Sequence, residues 1–164
     1  MFKSAWPIRS DLFARILPRV KTLPFATTRL GVEAKFLFNL WVHARLLCFR
    51  VPKRSHFSTV ISLLGRVQIT PPAHMNPDQI AAIVLNVTRR PWMMRDRRCL
   101  RQGILAYWCF KAGGYEPRIH FAIDLGSLQT EKTKAHCWIT IEGRSVMNDS
   151  LPDMQTFFTF PASA

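Results

Sequence analysis

The hydrophobic period of this chain changes sharply at Gly113-Gly114, and that change constrains the fold more than any other feature. Before the glycines, Leu100, Ile104, Leu105 and Trp108 recur at three- and four-residue steps, as one buried helix face requires. After them, Ile119, Phe121, Ile123 and Leu125 alternate with polar Arg118, His120 and Asp124, the pattern of a strand with one face in a core. A polar loop over 126–134 leads to a second strand at Ala135–Ile141. A tight turn at Glu142-Gly143, a return strand at Arg144–Met147 and an apolar strip at Phe157–Phe160 complete the series. Helices followed by a run of strands predict an α+β fold: a helical N-terminal portion, then a helix packed on a small antiparallel sheet. The glycines end that helix, one of them supplying the left-handed cap.

Upstream, Val32–Phe49 reads as an amphipathic helix through Phe36, Leu40 and Leu47 with their neighbours Leu37, Trp41 and Ala44, ended by Val51-Pro52. Pro7, Pro18 and Pro24 leave room only for a short helix near Asp11–Ile16. The apolar run Thr59–Leu64 fits a helix or a strand, and Pro71-Pro72 reads as a linker. Asn76-Pro77-Asp78 is a helix start, with an Asx cap, a first-turn proline and an acid at the positive dipole end. That helix runs through Ile80, Ile83, Val84 and Val87 and stops before Pro91. Two portions result, expected to form one compact unit: residues 1–75, basic and mainly helical, and residues 76–164, the mixed core.

With 164 residues and 48% apolar content, the chain has the makings of one globular domain. Its net charge of +13 is lopsided: residues 1–98 carry 17 basic and 4 acidic side chains, residues 99–164 six of each. Such asymmetry suits a basic surface for nucleic acid or acidic lipid, or for an acidic protein partner. The most apolar stretch, Phe36–Phe49, contains Asn39, His43 and Arg45, whereas a membrane span needs ~20 nearly uncharged residues. Arg9, Asp11 and Arg15 interrupt the apolar run a signal peptide would need, so a cytoplasmic location is expected. Cys48, Cys99, Cys109 and Cys137 form no C-x-x-C pair and are expected to be reduced thiols there. The histidines lack metal-ligand spacing and no glycine loop for phosphate appears, so neither metal nor cofactor is expected.

Three residues can carry chemistry. Cys99 lies three residues after Asp96, a candidate cap, and so in the first turn of its helix. Free amides and the positive dipole end favour a thiolate there, and Arg95, Arg97, Arg98 and Arg101 add positive potential. Helix-start cysteines of this kind can have pKa values of roughly 3.5–7.5, and the same amides could hold an oxyanion. His136 sits in the second strand. If Glu142-Gly143 is a two-residue turn, Ile141 pairs with Arg144, paired numbers sum to 285, and Asp149 faces His136. A three-residue loop with a bulge at Gly143 would place Asn148 there instead. A thiol, an imidazole and an orienting carboxylate or amide make a nucleophile, its base and the group that aligns the base. Cys137 must point to the face opposite His136 and is expected to pack in the core, as is Cys109.

The order helix-start Cys, strand His, Asp after the next turn resembles the papain-like and transglutaminase-like cysteine enzymes. Pro91-Trp92, the basic stretch Arg95 to Arg98, Cys99-Leu100, Gly114, Ala135-His136-Cys137-Trp138, Glu142-Gly143 and Asn148-Asp149 stand in the order of one branch. That branch is the lasso-peptide leader peptidases, related to the C-terminal half of the microcin-maturation protease. The likeness covers about residues 76–150. Cys137 stands where a small residue is common, and Gln102 where arginine is common. The resemblance implies a transglutaminase-like core with Cys99 as nucleophile, His136 as base and Asp149 as orienting acid, and no cofactor. It implies a precursor peptide as substrate, a separately encoded leader-recognition protein as partner, an ATP-dependent lasso cyclase as a further one, and no nucleic acid. Two other readings stay open: acyl transfer to an amine on the same fold, and a non-enzymatic basic binding protein.

Overall fold

The computed structural model describes residues 26–52, 55–66, 69–89, 97–130 and 133–162. The expected helix at Asp11–Ile16, and Pro91-Trp92, Arg95 and Asp96, lie outside them. Among the described residues four α-helices precede the sheet: α1 (Ala26–Arg50), α2 (Phe57–Leu64), α3 (Pro77–Val87) and α4 (Arg98–Ala112). Helix α1 begins six residues ahead of the expected Val32, and the ambiguous run at Thr59–Leu64 is helical. Asn76 caps α3 through a full capping box. Its Oδ1 accepts from the Gln79 amide at 2.9 Å, while Gln79 Oε1 accepts from the Asn76 amide at 3.0 Å. Helix α4 ends as the glycines require, with Gly114 at φ +84°.

Four described strands follow: β1 (Pro117–Ile123), β2 (Ala135–Ile141), β3 (Arg144–Met147) and β4 (Gln155–Phe160), antiparallel in the order β3-β2-β1-β4. Strand β1 is shorter than its alternation predicts. Asp124 Oδ1 accepts from the Gly126 amide at 2.9 Å and starts a 3-10 turn, Leu125–Gln129, which carries Leu125 out into solvent.

Helix α4 is the axis of the molecule. Every residue from Arg101 to Phe110 is buried, because α1, α2 and α3 cover it on one side and the sheet on the other. From α1, the stripe Phe36, Leu40, Ala44 and Leu47 joins the same core as Trp108, Ile104, Ile119 and Ile139. Buried polar groups on α4 are matched to this surround. Gln102 Nε2 donates to Thr88 Oγ1 at 2.9 Å, Arg101 Nη2 to the Val51 carbonyl at 3.0 Å and Trp108 Nε1 to the Leu63 carbonyl at 3.0 Å. The bonds from Arg101 and Gln102 thereby register the ends of α1 and α3 against the part of α4 that bears Cys99, while Trp108 ties α2 to the far part of the helix. Among the described residues no helix is long and apolar enough to cross a membrane.

Candidate active site

Helix α4 opens at Arg97, not at the expected Asp96. Arg97 is the N-cap, in the left-handed region at φ 54° and with no side-chain cap bond. The first bond of the helix runs from the Arg101 amide to the Arg97 carbonyl at 3.1 Å. By helix geometry the Cys99 amide therefore belongs to the orphan donors of the first turn. A left-handed arginine is a strained choice, and here it marks the corner from which the chain enters the helix beside the thiol.

The sheet brings the other groups to that corner. The turn has two residues, with Glu142 at φ 51° and Gly143 at φ 79°, the positive values a type I′ turn needs despite the glutamate. Ile141 pairs with Arg144 and Thr140 with Ser145, as the two-residue register predicts. A bulge then intervenes: Ile139 pairs with Met147, and no β2–β3 pair lies beyond. Asn148 takes φ 52°, and its buried amide Nδ2 has no hydrogen-bond partner.

The result differs from a side chain facing a side chain. His136 Nε2 donates to the main-chain carbonyl of Asp149 at 2.9 Å, and Asp149 Oδ1 accepts from Ser145 Oγ at 2.9 Å. A carbonyl oxygen only accepts, so this bond fixes the proton on Nε2 and leaves Nδ1 as the ring's basic nitrogen. The His136 ring also stacks on Trp138, centroids 6.2 Å apart and planes 21° apart, and Trp138 stacks on His120 at 5.1 Å. His120 is held between the hydroxyls of Thr159 and Thr140, at 3.0 and 2.9 Å. Burial and the Arg118 charge push its pKa down, which keeps that ring neutral.

The Cys99 thiol is lowered to about 6. The largest cause is a hydrogen bond from the Cys137 side chain. Burial opposes it, and the His136 charge, the Cys137 amide and a hydrogen bond with His136 add to it. Strand β2 thus dominates, rather than the arginine cluster to which sequence reasoning points. Arg101 is buried and turned to the Val51 carbonyl, and Arg97 Nη1 donates to Ser55 Oγ at 2.8 Å. Cys137 does point away from His136 into the core, as alternation requires, yet its thiol sits under Cys99. Burial and the facing Cys99 drive the Cys137 pKa well up, so it stays a protonated donor. Cys109, buried in α4, is pushed up to about 12 by burial alone and takes no part.

The approach of Cys137 to Cys99 depends on Gly103, one turn along α4. A Cβ there would lie 3.0 Å from Cys137 Sγ and 3.0 Å from Ile119 Cδ1. Gly103→Ala is expected to push the helix off the sheet, costing about 1–3 kcal/mol of stability in urea unfolding. The same change should slow alkylation of Cys99, because the Cys137 donor is displaced. Unaltered stability would show that the contact relaxes freely. The signal for Cys137 and Gly103 was in the sequence, since residue i+4 on the helix meets the inward residue of the strand, but it required knowing that α4 crosses β2 there.

Cys99 and His136 line a cleft of about 480 Å3 bounded by α2, β1 and β4. Among the described residues no group of three or more His, Cys, Asp or Glu side chains is placed to hold a metal ion. A nucleophilic sulfur near neutrality, a tautomer-fixed imidazole beside it and orphan amides at its helix start can perform acyl chemistry on a carbonyl in that cleft. The family model of the transglutaminase-like superfamily matches residues 40–160, spanning α1 to β4 and the whole of this site. No curated protein and no solved structure matches the chain.

Proposed function

The chain belongs to the transglutaminase-like superfamily, and from that premise we propose that it is a cysteine peptidase removing the leader from a ribosomally made lasso precursor peptide. One observation carries the reading: a thiol lowered to about 6 beside a histidine whose Nε2 is tied to the Asp149 carbonyl. Cys99 Sγ attacks the scissile carbonyl carbon, and the oxyanion forms against first-turn amides of α4. His136, whose Nδ1 has taken the Cys99 proton, then gives that proton to the leaving amine as the C–N bond breaks. Water, deprotonated by His136, attacks the thioester, and the C–S bond breaks to free the acid and the thiol.

In this reading Asp149 is the third member through its main chain, and its carboxylate braces the turn on Ser145. Asp149→Ala should therefore keep activity within about tenfold of the parent, well short of the ~10⁴-fold loss known for a carboxylate that must hold a catalytic imidazole directly. A loss of that larger size would mean that the carboxylate itself reaches His136 during turnover.

Helix α1 supports a partner-dependent enzyme. One stripe is spent on the core, while Phe38, Trp41 and Phe49 are exposed, with the Arg45 guanidinium 3.1 Å over the Trp41 ring. We assign this face to the separate leader-recognition protein, in a cytoplasm where all four cysteines remain free thiols. The test is direct. Precursor peptide is incubated with the chain, with and without the recognition protein, and the products are weighed by mass spectrometry. Two fragments whose masses sum to the precursor plus one water support the peptidase, and an added amine would assign acyl transfer instead.

A further inference from the structure

One wall of the cleft next to Cys99 is apolar, facing a side lined by Ser55, Arg97, Thr133 and His136. The apolar wall is made by Phe57 and Val60 of α2, Phe121 of β1 and Phe157 of β4. The construction is unusual, because Phe157 and Phe158 are neighbours on one strand yet both touch the same ring. Phe57 lies 5.6 Å from Phe157 and 5.3 Å from Phe158, and meets Phe121 edge-on at 5.1 Å. The cause is the β-bulge in the β1–β4 ladder, where Phe121 pairs with Phe158 and Ala122 with Thr156, leaving Phe157 unpaired between them. Regular alternation would have turned Phe157 to the opposite face. The bulge instead gives the cleft a second aromatic ring, and both rim rings stay open to solvent, Phe57 at 40% and Phe157 at 53%.

Two exposed phenylalanines beside a nucleophile lose water contact only when something apolar enters. The geometry points to a specificity pocket: the bulge-borne Phe157, with Phe57, Val60 and Phe121, receives a bulky apolar side chain flanking the carbonyl that Cys99 attacks. The inference rests on Cys99 being the nucleophile and adds the class of residue selected. Size and polarity favour an aromatic or branched aliphatic group over glycine or a carboxylate, since burying such a group in an apolar wall is worth roughly 10- to 100-fold in rate or affinity.

The test uses the whole chain and small electrophiles, so no precursor is needed. Iodoacetamide, N-benzyl-iodoacetamide and N-carboxymethyl-iodoacetamide each alkylate a thiolate by forming an S–C bond as iodide leaves. Rates at Cys99, read by mass spectrometry of the modified peptide, are divided by those for free glutathione to remove intrinsic reactivity. The benzyl reagent should exceed the parent by about 10- to 100-fold on this scale, and the carboxymethyl reagent should fall below it. Phe157→Ala should erase most of the benzyl preference and Phe157→Leu should restore part of it, with circular dichroism reporting the fold of each. Phe57→Ala gives an independent check on the same wall. A benzyl ratio equal to that of glutathione overturns the pocket, as does a preference that survives both alanine variants. Failure of iodoacetamide itself to modify Cys99 near neutral pH overturns the nucleophile on which the pocket depends, and that outcome is distinct from the other two.

Discussion

If the chain is the proposed peptidase, Cys99→Ala is expected to abolish leader removal, a loss on the order of 10³-fold or more, because the other thiol lining the cleft, Cys137, is buried and held protonated. His136→Ala should fall by roughly 10²–10⁴-fold, the usual worth of a positioned general acid and base. The two act as a unit, so the double variant should be little worse than Cys99→Ala alone. The measurement is a time course of precursor cleavage in the presence of the recognition protein, followed by mass spectrometry. Cleavage by Cys99→Ala at the parental rate would remove the chain from the cysteine peptidases. The fold should survive the change, since Cys99 is half-buried at the end of α4 and the core lies deeper, on Ile104, Leu105 and Trp108.

The second large effect concerns Cys137, which never meets the substrate. With Cys99 at about 6, its alkylation rate by iodoacetamide should climb between pH 5 and 7 and flatten above, as the thiolate becomes the main form. Cys137→Ala deletes the largest cause of that lowering and leaves burial, which raises the thiol, less opposed. A hydrogen bond to a charged group is worth about 1.5–3 kcal/mol, and one pH unit is about 1.4 kcal/mol, so the midpoint should rise by roughly one to two pH units. At pH 7 the rate should then drop by about two- to tenfold. Cys137→Ser keeps a donor at the same place and should recover part of the shift. A midpoint that stays near 6 in the alanine variant would assign the lowering to His136 and the helix start instead.

Much of the fold was legible from local chemistry. The capping box at Asn76 and Gln79, the glycine stop of α4 and the bounds of β2 and β3 each depend on interactions within a few residues. The site was legible in part. Cys99 stands in the first turn of its helix and His136 on β2 as the patterns require, but the helix cap moved by one residue to a strained Arg97. The 285 register held for two pairs and then slipped at a bulge, which no local residue pattern announced. That slip exchanged a carboxylate for a main-chain carbonyl as the partner of His136. The second bulge, in β4, turned Phe157 into the cleft and was equally hidden.

The sequence by itself determined the α+β succession, the helix-borne cysteine and the strand-borne histidine, because period, caps and tight turns act over short distances. Tertiary structure alone decided what the cysteine feels. The close crossing of α4 over β2 at Gly103 places the Cys137 thiol beneath Cys99, and two bulges choose the atom that aligns His136 and the rings that line the cleft. Those are contacts between elements distant in the chain, set by how helices and sheet pack, and a one-residue slip changes which group arrives.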